Sequence, residues 1–312
     1  MMKFFKIVFV CSLSVFMIAC DQQDAVPVTP TTPYAVQYPI DLAAIETYMK
    51  THRINVVDNP GEPNDKDVTF TAVTSGDANS IWGSGTTPKS SVLTKMVTFA
   101  GIEYKVYYLS LREGVGVKPS SADKVLVSYK GSLLAGTTFT EVSNPDWLSL
   151  ERTTTSNSLG AIRGFQEIIP LFKSGTFVTN TDGTVSYTDF GSGVMFVPSA
   201  LGYYNTPRDS SIIPNYSPLI FSFKLCGIEY QDNDGDGVLS IYEDLNSNGI
   251  YSDDDTDGDG VYNYFDVDDD GDGYLTSTEI KINGEFPASY ALIQDCDGTT
   301  TGVKKHLSAS CH

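Results

Sequence analysis

Val127-Ser128-Tyr129-Lys130-Gly131-Ser132-Leu133-Leu134-Ala135-Gly136-Thr137-Thr138-Phe139 is the stretch whose reading decides the fold. It continues Lys124-Val125-Leu126, and residues 124–129 mix apolar and polar positions as a largely buried strand does. Upstream, Glu103-Tyr104-Lys105-Val106-Tyr107-Tyr108-Leu109-Ser110-Leu111 is rich in β-formers. Downstream, residues 191–197 and 219–225 read the same way. The good helical stretch of this region is short, around residues 165–172. Many strands and one short helix predict an α+β domain over residues 101–229.

Five blocks, in order, carry a resemblance. The opening stretch fits V-x-Y-x-G-x-L-x-x-G-x-x-F, and Ala161-Ile162-Arg163-Gly164-Phe165 fits V-I-x-G-W. Val197-Pro198-Ser199-Ala200-Leu201-Gly202-Tyr203 fits I-P-x-x-L-A-Y, Ile212-Ile213-Pro214-Asn215 fits I-I-P-P, and Leu219-Ile220-Phe221 fits L-x-F. Together they resemble the FKBP family of peptidyl-prolyl cis-trans isomerases. The resemblance implies a twisted antiparallel sheet wrapped on one short helix. It also implies a proline-gripping pocket walled by Tyr129, Phe139, Ile162, Phe165, Tyr203 and Phe221, with Ile213 at its edge. Phe165 takes the place of the family's Trp at the pocket floor. The Tyr203 hydroxyl and the Ile162 backbone N–H would bond the substrate carbonyl, and Trp147 would stand on the rim. Such a mechanism uses no acid, base or nucleophile. Thr140 stands where the family has an Asp, and Gly202 and Tyr204 replace small residues of its A-Y-G turn. These departures bear on catalytic efficiency more than on fold. Residues 151–158 and 179–189 are polar insertions that lengthen loops able to select partners.

Residues 232–279 hold 16 Asp and Glu without a Lys or Arg, whereas the whole chain has a formal net charge of −19. The rest is therefore close to neutral, which argues against nucleic acid and for a cationic partner of this one region. A calcium loop needs oxygen ligands at alternating positions, a Gly at the sharp turn and a carboxylate at the twelfth place. Asp232, Asp234, Asp236, Gly237, Ser240 and Glu243 fit, with the Val238 carbonyl at the seventh place. Asp268, Asp270, Asp272, Gly273, Thr276 and Glu279 fit again, with Tyr274 at the seventh. Asp244, Asn246, Asn248, Gly249, Ser252 and Asp255 form a looser copy, and Asp255, Asp257, Asp259, Gly260, Asn263 and Asp266 form another. Starts at 232, 244, 255 and 268 leave no room for the helix pair of an EF-hand. Leu239, Ile250, Tyr262 and Leu275 recur near the eighth place, which a plain solvated acidic linker would not produce. The internal repeat resembles thrombospondin type-3 repeats. That resemblance implies an irregular calcium-stabilised segment whose successive loops share ligands. Structural Ca2+ is thus the expected cofactor, with none for catalysis.

The N-terminus begins with Lys3 and Lys6, runs through an apolar stretch at residues 7–19, and reaches Met17-Ile18-Ala19-Cys20 before Asp21-Gln22-Gln23-Asp24. A basic start, a short apolar run and a small residue before the cut are the parts of an export signal, and the run is too short for a comfortable membrane span. It resembles a bacterial lipoprotein signal, which implies a lipid on Cys20 and a place in the cell envelope. The outer membrane is favoured, with its face left open. Pro27, Pro30, Pro33 and Pro39 then suggest an extended tether. The resulting order is signal peptide 1–19, tether 20–39, N-terminal extension 40–100, FKBP-like domain 101–229, calcium repeats 230–284 and tail 285–312. Within the extension, Leu42, Ile45 and Met49 behind a capping Asp41 predict a short amphipathic helix. Residues 55–99 are poor in pattern. Besides Cys20, mature cysteines are Cys226, Cys296 and Cys311, which suits one disulfide and one free thiol, with Cys296–Cys311 the favoured pair. His52, His306 and His312 are too scattered for a metal site.

Two functions compete on this reading. One is an isomerase acting on X-Pro bonds of exported proteins. The other is a binding module that holds proline-containing segments without turning them over, with the calcium repeats as a stiff spacer or adhesion segment. Thr140 favours the module, while the retained Tyr129, Phe139, Ile162 and Tyr203 favour the enzyme.

Overall fold

The computed structural model describes residues 31–83, 92–151 and 161–311. Residues 1–19, read above as a signal peptide, Cys20, most of the 151–158 insertion and His312 lie outside the described residues. Helix α1 spans Tyr34–Thr51, followed by strands β1 (His52–Val56), β2 (Val68–Ala72), β3 (Val92–Phe99) and β4 (Ile102–Arg112). Strands β5 (Lys124–Leu133) and β6 (Thr138–Ser149) precede helix α2 (Arg163–Ile168), and β7 (Thr176–Thr179), β8 (Val185–Thr188), β9 (Gly191–Val197) and β10 (Leu219–Glu229) follow. Six strands form one antiparallel sheet in the order β3-β4-β9-β10-β5-β6. The decisive stretch is its β5–β6 hairpin. Gly136 takes φ +88° at the turn, a conformation that costs Gly little, and the Leu133 and Thr137 backbones close it with a 2.9 Å hydrogen bond.

Every residue of β9 is buried because both faces of the sheet are covered. Side chains alternate between faces along a strand. Met195 and Val197 therefore pack with Phe165, Ile168 and Phe221 on the α2 side. Val194 and Phe196 pack with Ile45, Tyr48 and Met49 of α1 on the other. The N-terminal extension is thus a second layer. Helix α1 starts at Tyr34, within the stretch read as tether, with Pro33 at its N-cap and Pro39 inside. Asp41, expected as a cap, lies mid-helix and buried. Its Oδ2 accepts hydrogen bonds from the Ser199 N–H (2.7 Å) and hydroxyl (2.6 Å), and its Oδ1 accepts one from the Gln37 amide (2.7 Å). Burial raises the Asp41 carboxyl above its usual range, against the pull of these hydrogen bonds. The poorly patterned region also hides the β1–β2 hairpin and edge strand β3.

The acidic segment has no EF-hand helices. It turns through short 3-10 elements and one single-turn helix, α3 (Thr276–Glu279). It docks on the sheet domain where the Asp123 carboxylate accepts the Gln231 N–H at 2.9 Å and the Ala122 carbonyl accepts the Asn233 side-chain amide at 3.2 Å. Tyr251 and Tyr264 bury Ala122 between them. The tail folds back: Ile293 joins Val238 and Ile280, and Tyr290 stacks on Tyr242 at 4.6 Å. A disulfide joins Cys296 to Cys311, and the Cys226 thiol is free and buried, its pKa pushed up to about 12 by burial.

Candidate functional site

Five rings converge on one side of the sheet. Phe165 rises from the first turn of α2 and meets Phe221 of β10 edge-to-face at 4.9 Å. Tyr129 of β5 lies 5.4 Å from Phe165, and Phe139 of β6 lies 5.5 Å from Phe221. Tyr203 closes the group against Phe139 at 6.2 Å. Edge-to-face pairing at these separations is the arrangement that ring quadrupoles favour. Phe165, Phe221, Ile162 and Ile213 are buried, whereas Tyr129, Phe139 and Tyr203 are half-buried and form the part open to a ligand. All seven residues implied by the resemblance belong to, or pack against, one apolar cluster.

The local backbone explains how the rings come together. Gly131 stands opposite Phe221 in the β5–β10 ladder and opposite Thr140 in the β5–β6 ladder. A Cβ there would lie 2.7 Å from atoms of both the Phe139 and Phe221 rings, so glycine leaves the room they occupy. Ile162 caps α2: its carbonyl accepts the Phe165 N–H at 2.9 Å, while its own N–H has no acceptor among the described residues. Tyr203 follows the turn that Asp41 holds. Its hydroxyl has no hydrogen bond among the described residues, its pKa is raised by burial, and the Arg208 guanidinium sits 5.9 Å from its ring centre. Next to it Tyr204 takes φ +53° and packs between Tyr34 (4.4 Å) and Tyr216 (4.9 Å). The N-terminal extension therefore props the site, a role that sequence reading missed. Trp147 is not on the rim. It pairs with Leu126 on the face away from Val125 and Val127, and is exposed.

The acidic loops share one hydrogen-bond pattern. The first-place carboxylate accepts the N–H of the sixth-place Gly: Asp232 from Gly237, Asp244 from Gly249, Asp255 from Gly260 and Asp268 from Gly273, at 2.7–3.1 Å. The fifth-place oxygen accepts the seventh-place N–H: Asp236 from Val238, Asn248 from Ile250, Asp259 from Val261 and Asp272 from Tyr274, at 2.6–2.8 Å. The two looser copies thus fold like the two full ones. Asp232 with Asp234 and Asp236, Asp255 with Asp257 and Asp259, and Asp268 with Asp270 and Asp272 each gather ligand oxygens within 4.8 Å of one another. In the second loop the Asn248 amide instead donates to Asp253 at 2.8 Å and Asn246 to Asp254 at 3.2 Å, partners that the spacing did not reveal. Ser240, expected as a ligand, uses its hydroxyl oxygen to accept from Asn233. Asp266 accepts the Asp268 N–H at 2.9 Å.

Buried carboxylate oxygens without partners are costly unless something cationic meets them. Among the described residues Asp234, Asp236, Glu243, Asp268, Asp270 and Glu279 each carry at least one such oxygen. Burial first and neighbouring carboxylates second push Glu243 up to about 10 and Glu279 up to about 7. An all-oxygen donor set with orphaned, mutually repelling carboxylates fits a hard divalent cation such as Ca2+.

The comparisons with known proteins are distant. The family described as BamM C-terminal matches residues 233–303. No curated protein matches the chain. Among solved structures, a peptidyl-prolyl cis-trans isomerase from Pseudomonas syringae pv. tomato is 15% identical with a TM-score of 0.36, over 64% of this chain and 99% of that one. FkpA from Escherichia coli is 24% identical with a TM-score of 0.31, over 43% of this chain and 51% of that one. The three FKBP domains of wheat FKBP73 are 19% identical with a TM-score of 0.32, over 45% of this chain and 51% of that one. The chain spans about half the length of the latter two.

Proposed function

We propose that this chain is a peptidyl-prolyl cis-trans isomerase that acts on X-Pro bonds of exported proteins. The observation that carries the reading is the convergence of Tyr129, Phe139, Phe165, Tyr203 and Phe221 beside the Ile162 N–H, which has no acceptor among the described residues. Rotation about an amide costs about 18–20 kcal/mol because resonance is lost. A water-poor aromatic cradle holds the proline ring, and the Ile162 N–H and Tyr203 hydroxyl stabilise the carbonyl of the twisted amide better than the planar one. Only such differential binding accelerates the step. A protease-coupled assay on a short X-Pro peptide tests this. Tyr203→Phe should lower kcat/KM roughly tenfold or more, the loss of about one charge-free hydrogen bond in the transition state. Undiminished turnover in that variant and in Phe165→Ala would sink the isomerase reading. Thr140 beside Gly131 favours a second reading, a module that binds proline segments without turnover. Peptide binding with no turnover by the wild-type chain would select it.

The acidic loops hold structural Ca2+ in this reading. Asp232, Asp234, Asp236 and Glu243, then Asp255, Asp257, Asp259 and Asp266, then Asp268, Asp270, Asp272 and Glu279 supply the carboxylates. The Val238 and Tyr274 carbonyls add backbone oxygens, and Asp244, Asn246 and Asn248 form the least charged loop. When bound, the metal supplies charge neutralisation and stiffness, not chemistry at the proline. The lipoprotein-like N-terminus supports a chain anchored through Cys20 to a bacterial envelope membrane, with the outer membrane favoured. Cys20→Ser should move the protein from the membrane fraction to the soluble fraction of the envelope, and an unchanged distribution would overturn the anchor.

A further inference from the structure

The second place of each loop carries no ligand in an alternating pattern. In the first loop this place is Asn233, whose amide donates to the Ala122 carbonyl (3.2 Å) and the Ser240 hydroxyl (3.0 Å). In the third it is Thr256, whose hydroxyl accepts the Asn263 amide at 2.8 Å. Both are neutral and satisfied. In the fourth loop the same place is Asp269. It is 2% exposed, and neither of its carboxylate oxygens accepts a hydrogen bond among the described residues. It reaches across to the first loop, where its oxygen lies within 4.8 Å of ligand oxygens of Asp236 and Glu243. Those two residues are also 2% exposed, and both Glu243 oxygens and the Asp236 Oδ2 have no hydrogen-bond partner among the described residues.

We infer that Asp236, Glu243 and Asp269 form a buried divalent-cation site that bridges the first and fourth loops. The inference rests on the calcium reading of the loops and adds a ligand, Asp269, that their spacing excludes. Three buried carboxylates facing one another without a cation would each lose solvation and repel the other two. Residues 232–279 contain no Lys or Arg to compensate, and none of the ion pairs among the described residues involves these three. An all-carboxylate set selects a hard cation, Ca2+ over a thiophilic metal. Asp236 belongs both to this group and to the Asp232–Asp234 group, and Glu243 is the twelfth-place carboxylate of the first loop, so the bridging ion draws two of its ligands from that loop. The bridge therefore ties together two ends of the repeat that lie far apart in sequence.

The test counts ions on the full mature chain. Native mass spectrometry and calorimetric titration with CaCl2 should give one fewer ion for Asp269→Asn than for wild type, or one site weakened at least tenfold. Its calcium-induced rise in Tm should shrink as well. Asp257→Asn, in the third loop, should keep the bridging ion. Equal stoichiometry and affinity in wild type and Asp269→Asn would overturn the bridge alone. A wild-type chain that binds no Ca2+ would overturn the loop reading as well. Should Asp269→Asn fail to fold, anomalous diffraction from wild-type crystals soaked in terbium decides. A peak coordinated by Asp269 supports the site, and bound terbium in the loops with none at Asp269 refutes it.

Discussion

Asp41 shows how much one side chain sets the working surface. Its carboxylate spans α1 and the turn at Ser199, four residues before Tyr203. In Asp41→Asn one end of the side chain becomes a donor, facing either the two Ser199 donors or the Gln37 amide. An unmade buried hydrogen bond costs about 1–3 kcal/mol, partly offset here because burying the charge was itself unfavourable. We expect Asp41→Asn to unfold at lower denaturant concentration and to lose isomerase activity, with Tyr203 displaced; an unchanged midpoint would show that the latch carries no load. Read from the sequence, Asp41 was a helix cap, since Asp before an apolar-periodic stretch normally is one. What no local pattern holds is a partner 158 residues away.

At the scale of elements, legibility followed the density of β-forming residues in the buried strands. Strands β4, β5, β9 and β10 all lie where the sequence suggested strands, whereas β6 was not read as one. The aromatic residues were named for a different reason: they sit in the five blocks that carry the family resemblance, and the resemblance, not their periodicity, implied that they would meet. Helix α1 was only half visible. Pro33 and Pro39 read as tether, yet Pro33 is only the N-cap, and tertiary packing of Ile45, Tyr48 and Met49 on Phe196 and Val194 holds the helix despite the hydrogen bond that Pro39 cannot donate inside it. Strands β1 and β2 alternate apolar and polar residues, at Ile54-Asn55-Val56 and Val68-Thr69-Phe70-Thr71-Ala72, but each is only five residues long, too short for the alternation to stand out in a stretch rich in Gly, Ser, Thr and Asp. Trp147 was misplaced because a rim position needs a register, and β6 carries irregularities in its pairing with β5.

Across the whole molecule, two kinds of cohesion meet at Ala122 and Asp123. The sheet domain is held by apolar burial on both faces, while residues 232–279 have carboxylates where a core would be. Calcium removal should therefore act unevenly. With excess chelator, the acidic segment should open to chymotrypsin at its tyrosines, trypsin having no Lys or Arg to cut there, while the sheet domain stays resistant. Equal protection with and without chelator, read by mass mapping of the fragments, would count against structural calcium. The repeat spacing made the loops legible, since glycine and alternating oxygens are a local code. The folded-back tail was not, because Ile293 and Tyr290 find their partners only once the loops have formed.

The Cys296–Cys311 crosslink has a mechanical consequence. It closes a span of 15 residues. At about 3.3–3.6 Å per extended residue, roughly 50 Å of contour is withheld from any pull applied at the C-terminus. Tension entering there bypasses the closed span and arrives at Ile293, so the strain of a stretched chain falls on its seam with Val238 and Ile280.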